Sequence, residues 1–211
     1  MIAASRASSP GFVYLASQSP RRRELLDQLG VRHKLLLADA DEDVEALEAT
    51  RAGESPEAYV ERVTRAKLRA ASRRLRARGL LVPAPILCAD TAVAIGARIL
   101  GKPLDAADAA RMLALLSGRS HRVISAVAVA ARGRSRLAVS VSRVRFATIA
   151  PARIERYVAG GEPFGKAGAY AIQSGAAAWI EKIEGSYTGI MGLPLHETAA
   201  LLEWAGVAVR P

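Results

Sequence analysis

A chain of 211 residues with 51% apolar side chains can bury one sizeable core, as one large domain or two small lobes sharing it. A single cysteine, Cys88, excludes an intrachain disulfide, and no run approaches the ~18 apolar residues of a membrane span. The formal charge of +10 calls for an anionic partner, nucleic acid or free nucleotide, or for arginines that merely coat exposed faces.

Met1 to Pro10 mixes Ser, Ala and Arg6 with no apolar stretch, so it is expected to be a flexible tail and not a signal peptide. Phe12 to Ala16 reads as a short strand. Pro20 to Leu29 reads as a helix, with Ser19 placed to cap it and Gly30 to end it. Val31 to Leu37 is a second strand, and Asp39 to Glu48 an acidic loop. Ser55-Pro56 opens a long helix running to about Arg78. Its apolar stripe is Tyr59, Val60, Val63, Ala66, Ala70 and Ala71, with Arg62, Arg65, Arg69, Arg73 and Arg76 mostly opposite. Pro83 and Pro85 break the chain before the apolar strand Ile86 to Ile95, which turns at Gly96-Ala97-Arg98 into Ile99-Leu100. Asp105 caps a helix that Ser117-Gly118 stops after Leu116. Val123 to Ala131 and Leu137 to Phe146 form a hairpin about Arg132-Gly133-Arg134. A helix over about Pro151 to Ala159, Gly-rich strands and loops over Gly160 to Gly192, and a helix from Pro194 to about Gly206 follow. This alternation predicts an α/β fold with a mixed sheet and flanking helices.

Four places carry chemistry. Ser17-Gln18-Ser19-Pro20-Arg21-Arg22-Arg23 sets a small polar loop before a helix N-terminus, where unpaired N–H groups and the dipole favour an anion. Three arginines there oppose the dipole by ~0.3–1 kcal/mol each when exposed, a conflict that a bound phosphate removes. Lys67 falls in the apolar stripe, so it must either snorkel out or enter a polar cleft. Asp90 stands in an apolar strand with Thr91 on the opposite face, and is either an ion-pair member or a catalytic group. Lys102, in Gly101-Lys102-Pro103, can return close to Asp90. In the stretch from Gly165 to Gly175, small residues permit close backbone approach, while Lys166 and Gln173 offer a charge and an amide. This stretch is neither a Walker loop nor a Rossmann glycine motif.

Asp39-Ala40-Asp41-Glu42-Asp43 can supply a second carboxylate for a hard cation such as magnesium, which often uses one or two carboxylates plus substrate phosphates. The histidines have no ligand spacing: His33 and His196 stand alone, and His121 reads as structural. Cys88 reads as a packed core residue.

Leu15 to Arg22 resembles the opening motif of the Maf family. The likeness extends through Glu61 to Lys67, Ala89-Asp90-Thr91, Gly101-Lys102-Pro103, Ser117-Gly118 with His121, and Lys166 to Tyr170 with Ile172-Gln173. Gly185-Ser186-Tyr187 and Gly192 to Leu195 continue it, so that it covers about Tyr14 to Leu202. The resemblance implies a single Maf-like pyrophosphatase domain over residues 11–211, similar to the inosine-triphosphate pyrophosphatases, with two lobes around a cleft. It implies a cytosolic, often homodimeric enzyme that needs a divalent cation, magnesium or manganese, and converts a nucleoside triphosphate to its monophosphate and pyrophosphate. Asp90-Thr91 and Ile172-Gln173 look like the branch acting on dTTP and UTP, not the 7-methyl-GTP branch. Family members are described as clearing modified nucleotides and as linked to cell-division arrest. Two departures bear on the expected base pocket: Gly165 stands where an acid is common, and Ser174 where a glycine is usual.

On this reading Asp90 activates water, as general base, metal ligand or both, and Glu42 is the second metal carboxylate. Arg21, Arg22, Lys67, Lys102 and Lys166 hold phosphate oxygens with Ser17, and Arg21, Thr91 and Gln173 read the base. The rivals are a Maf-like pyrophosphatase for another nucleotide such as 7-methyl-GTP, a nucleic-acid-binding module, and a septation regulator that binds nucleotide without turnover. Aromatics at 5% and the lack of an RNA-recognition motif argue against nucleic acid. The expected partner is therefore a nucleoside triphosphate, with no specific nucleic acid and no membrane.

Overall fold

The computed structural model describes residues 11–40, 42–79 and 82–210. The expected tail, Met1 to Pro10, and Asp41 of the acidic loop lie outside the described residues. In chain order the elements are β1 (Val13–Leu15), α1 (Pro20–Gln28), β2 (His33–Leu35), α2 (Pro56–Ala77), β3 (Ile86–Ile95), β4 (Arg98–Leu100) and α3 (Ala106–Leu116). There follow β5 (Ser120–Ala131), β6 (Arg134–Phe146), α4 (Pro151–Ala159), β7 (Ile180–Glu184), α5 (Tyr187–Met191) and α6 (Leu195–Trp204). Short 3-10 turns cover Glu45–Glu48, Ala167–Ala169 and Gly175–Trp179. The strands make one mixed sheet in the order β2-β1-β3-β5-β6-β7, with β4 also on β3. β1 runs parallel to β2 and β3, and the other pairings are antiparallel. The expected α/β fold with flanking helices is the one observed.

β3 is apolar on both faces because both are covered. Ile86, Cys88, Ala92 and Ala94 face α2, against Val60, Val63, Leu68 and Ala71. Leu87 and Ala89 face α1 and α6, against Leu25, Leu26, Leu201 and Leu202. Further along that second face, Val93 joins Leu113, Phe146, Tyr157 and Trp179 in a separate cluster with α3 and α4. The stripe of α2 differs from the predicted one: Thr64 and Leu68 are buried and Ala66 is only half-buried. Ser55 caps α2 by accepting from Ala58 N at 3.2 Å. Ser19 makes no such cap on α1; Ser17 Oγ instead accepts from Ser19 N at 3.2 Å.

The sheet has a gap that positions the site. β1 pairs with β3 only as far as Leu15 opposite Leu87, while β4 pairs from Val93 onward. Between them no strand of the described residues lies on the edge of β3. The carboxyl end of β1 and a change of strand direction meet here, the place where open α/β sheets take ligands.

His121 is the polar exception in the α3–α4 cluster. It is 2% exposed, lies edge-on to Phe146, and its Nε2 pairs with the Tyr170 hydroxyl at 2.8 Å. Burial pushes its pKa down to about 4. The folded protein therefore holds it neutral, whereas the unfolded chain protonates it near pH ~6.5. Its contribution is fully present above that pH and is lost as pH falls toward about 4, up to roughly 3 kcal/mol in all. Denaturant midpoints measured between these limits should fall steadily with acid, and His121→Gln should flatten the slope. Parallel slopes would remove His121 as the source.

Candidate active site

A cleft of about 700 Å³ opens at the gap in the sheet. Ser17, Arg21, Arg22, Glu42, Lys67, Asp90, Thr91, Lys102, Lys166 and Gln173 all line it. The groups expected from sequence are thus brought together, from segments up to 156 residues apart (173 − 17).

At its centre Lys67 enters the cleft and does not snorkel out; its side chain is 14% exposed. Lys67 Nζ donates to Asp90 Oδ1 at 2.5 Å and to Glu48 Oε1 at 2.7 Å. Lys102 Nζ donates to the other Glu48 oxygen at 3.1 Å, so Lys102 meets Glu48 and not Asp90. Burial alone would raise the Glu48 carboxyl, but the two ammoniums outweigh it and hold the pKa below its ordinary value. The turn carrying Glu48 is tied to α2: Tyr59 donates to Glu48 O at 2.9 Å, and Arg62 donates to Leu47 O and Ala49 O at 3.2 and 2.8 Å.

Glu42 lines the cleft with both carboxylate oxygens paired. Arg74 donates Nε and Nη2 to its two oxygens at 2.7 and 2.6 Å, and Nη1 to Leu36 O at 2.7 Å. That bidentate hydrogen bonding holds the Glu42 carboxyl below its ordinary pKa. This pairing ties the Glu42 loop to α2, and Glu48 is the carboxylate that shares a partner with Asp90. Neither Glu48 nor the buried Arg74 stood out in the sequence, because both act through partners 19 or more residues away.

The start of α1 forms another wall of the cleft. Arg22 donates to Gly192 O at 2.8 Å and to Ser17 Oγ at 3.1 Å. Burial pushes its pKa down; nearby Asp90 opposes the shift and Arg21 adds to it. Burial, then Arg21, likewise lowers Lys166. Lys166 donates to Glu162 O. Gly168, with φ of +68°, lets the following turn press onto β3: a Cβ there would meet Val93 Cγ1 at 2.8 Å. Its N–H donates to Gly101 O at 3.0 Å, which fastens the Lys166 segment to the Lys102 segment.

Gln173 is exposed in the cleft wall. Gly165 also lines it with φ of +71°, a left-handed conformation that strains any other residue. Ser174 donates to Ala171 O at 3.0 Å and so braces the turn behind Gln173, outside the cleft lining. Cys88 is fully buried, and that burial pushes its thiol up to about 12, which makes it inert core. Among the described residues no group of three or more His, Cys, Asp or Glu side chains is placed to enclose a metal. Nor is any helix among them long and apolar enough to cross a membrane.

These features define a class: a mixed α/β protein whose cleft gathers cations from both halves of the chain around a carboxylate pair, suited to a multiply charged anion. The chain belongs to the Maf family, whose model, described as "Maf-like protein", matches residues 12–205. It is 62% identical over 199 residues to a dTTP/UTP pyrophosphatase of Polaromonas sp., covering 94% of this chain and 98% of that one. It is 64% identical over 195 residues to a dTTP/UTP pyrophosphatase of Cupriavidus metallidurans (92% and 97% covered). A dTTP/UTP pyrophosphatase of Burkholderia pseudomallei is 61% identical over 204 residues (96% and 97% covered).

Proposed function

We propose that this protein hydrolyses dTTP and UTP to the monophosphate and pyrophosphate. The observation that carries the reading is the convergence of Arg21, Arg22, Lys67, Lys102 and Lys166 on one cleft around Asp90. The names of the relatives supply the substrates. Water attacks the α-phosphorus, and Asp90 takes its proton. The bond from that phosphorus to the α–β bridging oxygen breaks, and the cations offset the charge gathered on the departing pyrophosphate. The Ser17 loop at the α1 N-terminus holds phosphate oxygens. Arg21, Thr91 and Gln173 meet the base.

A divalent cation, magnesium or manganese, fits this donor set. Asp90 and Glu48 aim oxygens at a single point, now the Lys67 ammonium, and hard cations of this kind complete their shell with substrate phosphates and water. Such a cation neutralises triphosphate charge and lowers the pKa of bound water. A cytosolic homodimer belongs to the same reading, on the strength of the family resemblance. Incubating the protein with UTP and magnesium should yield UMP and pyrophosphate in equal amounts. UDP with orthophosphate would mean attack at the γ-phosphorus and would overturn the reading.

A further inference from the structure

Three hydroxyls stand in register across the sheet: Thr91 of β3 opposite Ser125 of β5, and Ser125 opposite Ser140 of β6. They separate the two apolar clusters on that face of the sheet. Thr91 lines the cleft, whereas Ser125 lies beneath it at 1% exposure. Ser125 Oγ donates to Gly189 O at 2.7 Å, and Thr91 Oγ1 lies 2.7 Å from Ser125 Oγ. A serine hydroxyl has one hydrogen. Since a carbonyl can only accept, Ser125 spends that hydrogen on Gly189, and Thr91 has to donate its own to Ser125. Toward the cleft, Thr91 then presents lone pairs alone.

The carbonyl that sets this direction is held in place. Ser186, the cap of α5, accepts from Gly189 N at 3.0 Å, and its own N–H donates to Ser142 Oγ at 2.9 Å. A Cβ at Gly189 would crowd Ser186 Oγ at 3.2 Å and Ser140 Oγ at 3.4 Å, so glycine lets this turn settle on the hydroxyl row. Gln173 has no comparable restraint: no hydrogen bond to another described residue fixes its amide. A glutamine amide that can turn over meets either uracil or cytosine. A hydroxyl of fixed polarity does not.

We propose that Ser125 is a positioning residue for base selection: it locks the Thr91 hydroxyl as an acceptor, so that a pyrimidine offering N3–H is taken and one offering a bare N3 is refused. The inference rests on the reading that the cleft binds pyrimidine nucleoside triphosphates with the base at Thr91. The test compares kcat/KM for UTP and CTP, with magnesium, in the wild type, Ser125→Ala and Thr91→Ser. Without Ser125, Thr91 can turn its hydrogen toward the cleft. The UTP-to-CTP ratio should then fall at least about five-fold, through a lower KM for CTP, with kcat for UTP roughly unchanged. Thr91→Ser keeps the hydroxyl and should keep the ratio. A merely structural loss would depress both nucleotides alike and leave the ratio where it was, which overturns the inference. A wild type that treats UTP and CTP equally would instead overturn the substrate reading beneath it. If Ser125→Ala does not fold, Ser125→Cys carries the same test: its thiol is a weak donor, and an unchanged ratio in the folded variant again overturns the lock.

Discussion

Asp90→Asn is expected to lower kcat for UTP hydrolysis by at least about 10²-fold while the protein stays folded. An amide cannot take the proton from an attacking water. Little else changes: the side chain is near-isosteric, and Lys67 keeps its 2.7 Å bond to Glu48. Asp90 is 8% exposed, in a strand whose neighbours Ala89 and Ala92 are packed on both faces. The lost charge is therefore felt at the cleft and not in the core. Steady-state turnover and a melting curve on the same preparation check this. A variant that melts normally and keeps near-wild-type kcat would show that Asp90 is only the partner of Lys67.

Lys67→Met is expected to cost both activity and stability. It removes the ammonium between two carboxylates, leaving Asp90 and Glu48 facing each other across a partly buried site. Breaking a buried ion pair from one side typically costs ~3–5 kcal/mol. With the Glu48 side chain 26% exposed and Lys102 still beside it, about 2–3 kcal/mol is expected here. On the reaction side, a missing charge on the leaving group should lower kcat/KM by about 10²–10³-fold. Denaturant midpoints and turnover measure the two effects. Magnesium without nucleotide should restore more stability to the variant than it adds to the parent, because the exposed carboxylate pair attracts a cation. A midpoint unchanged from wild type would mean that the pair is solvated and weak.

Several parts of this arrangement are legible along the chain. Every helix from α1 to α4 begins and ends close to where Pro, Gly and capping residues place it, since those signals are local. Lys102 and Lys166 draw notice only through the turn and the glycine-rich stretch that carry them, while the Arg21–Arg22, Lys67 and Asp90 positions are legible too, because each is a charge where local pattern disfavours one. Ser125 is not. A serine in an apolar strand carries no signal until β3, β5 and β6 are paired and Thr91 stands opposite it. Glu48 is lost among other acids, because its meaning depends on two lysines, 19 and 54 residues away. Thr64 and Leu68 continue the α2 stripe from Val60 by ordinary i, i+4 spacing, with Ala66 at its margin; Thr64 is hidden from an apolar count because it is a polar residue on a buried face. α5 is too short and too rich in glycine to leave a periodic trace.

The gap in the edge of β3 also has a consequence for the order in which the molecule assembles. β5 and β6 pair without interruption from Ala131 opposite Arg134 to Ser120 opposite Arg145, closed by the two-residue turn Arg132-Gly133. Such a ladder grows by short steps, each losing little chain entropy. β1 has no short route: Leu15 must find Leu87 across more than seventy intervening residues. The topology thus favours an early hairpin with β3 beside it and a late arrival of the N-terminal strand. Until β1 docks, β3 offers a long bare edge, the kind of surface on which a second unfolded chain can align. Docking shortens that edge to a recess, and the same event delivers Ser17, Arg21 and Arg22. On that order, the proposed anion cradle is completed by the same docking that begins to cover the edge.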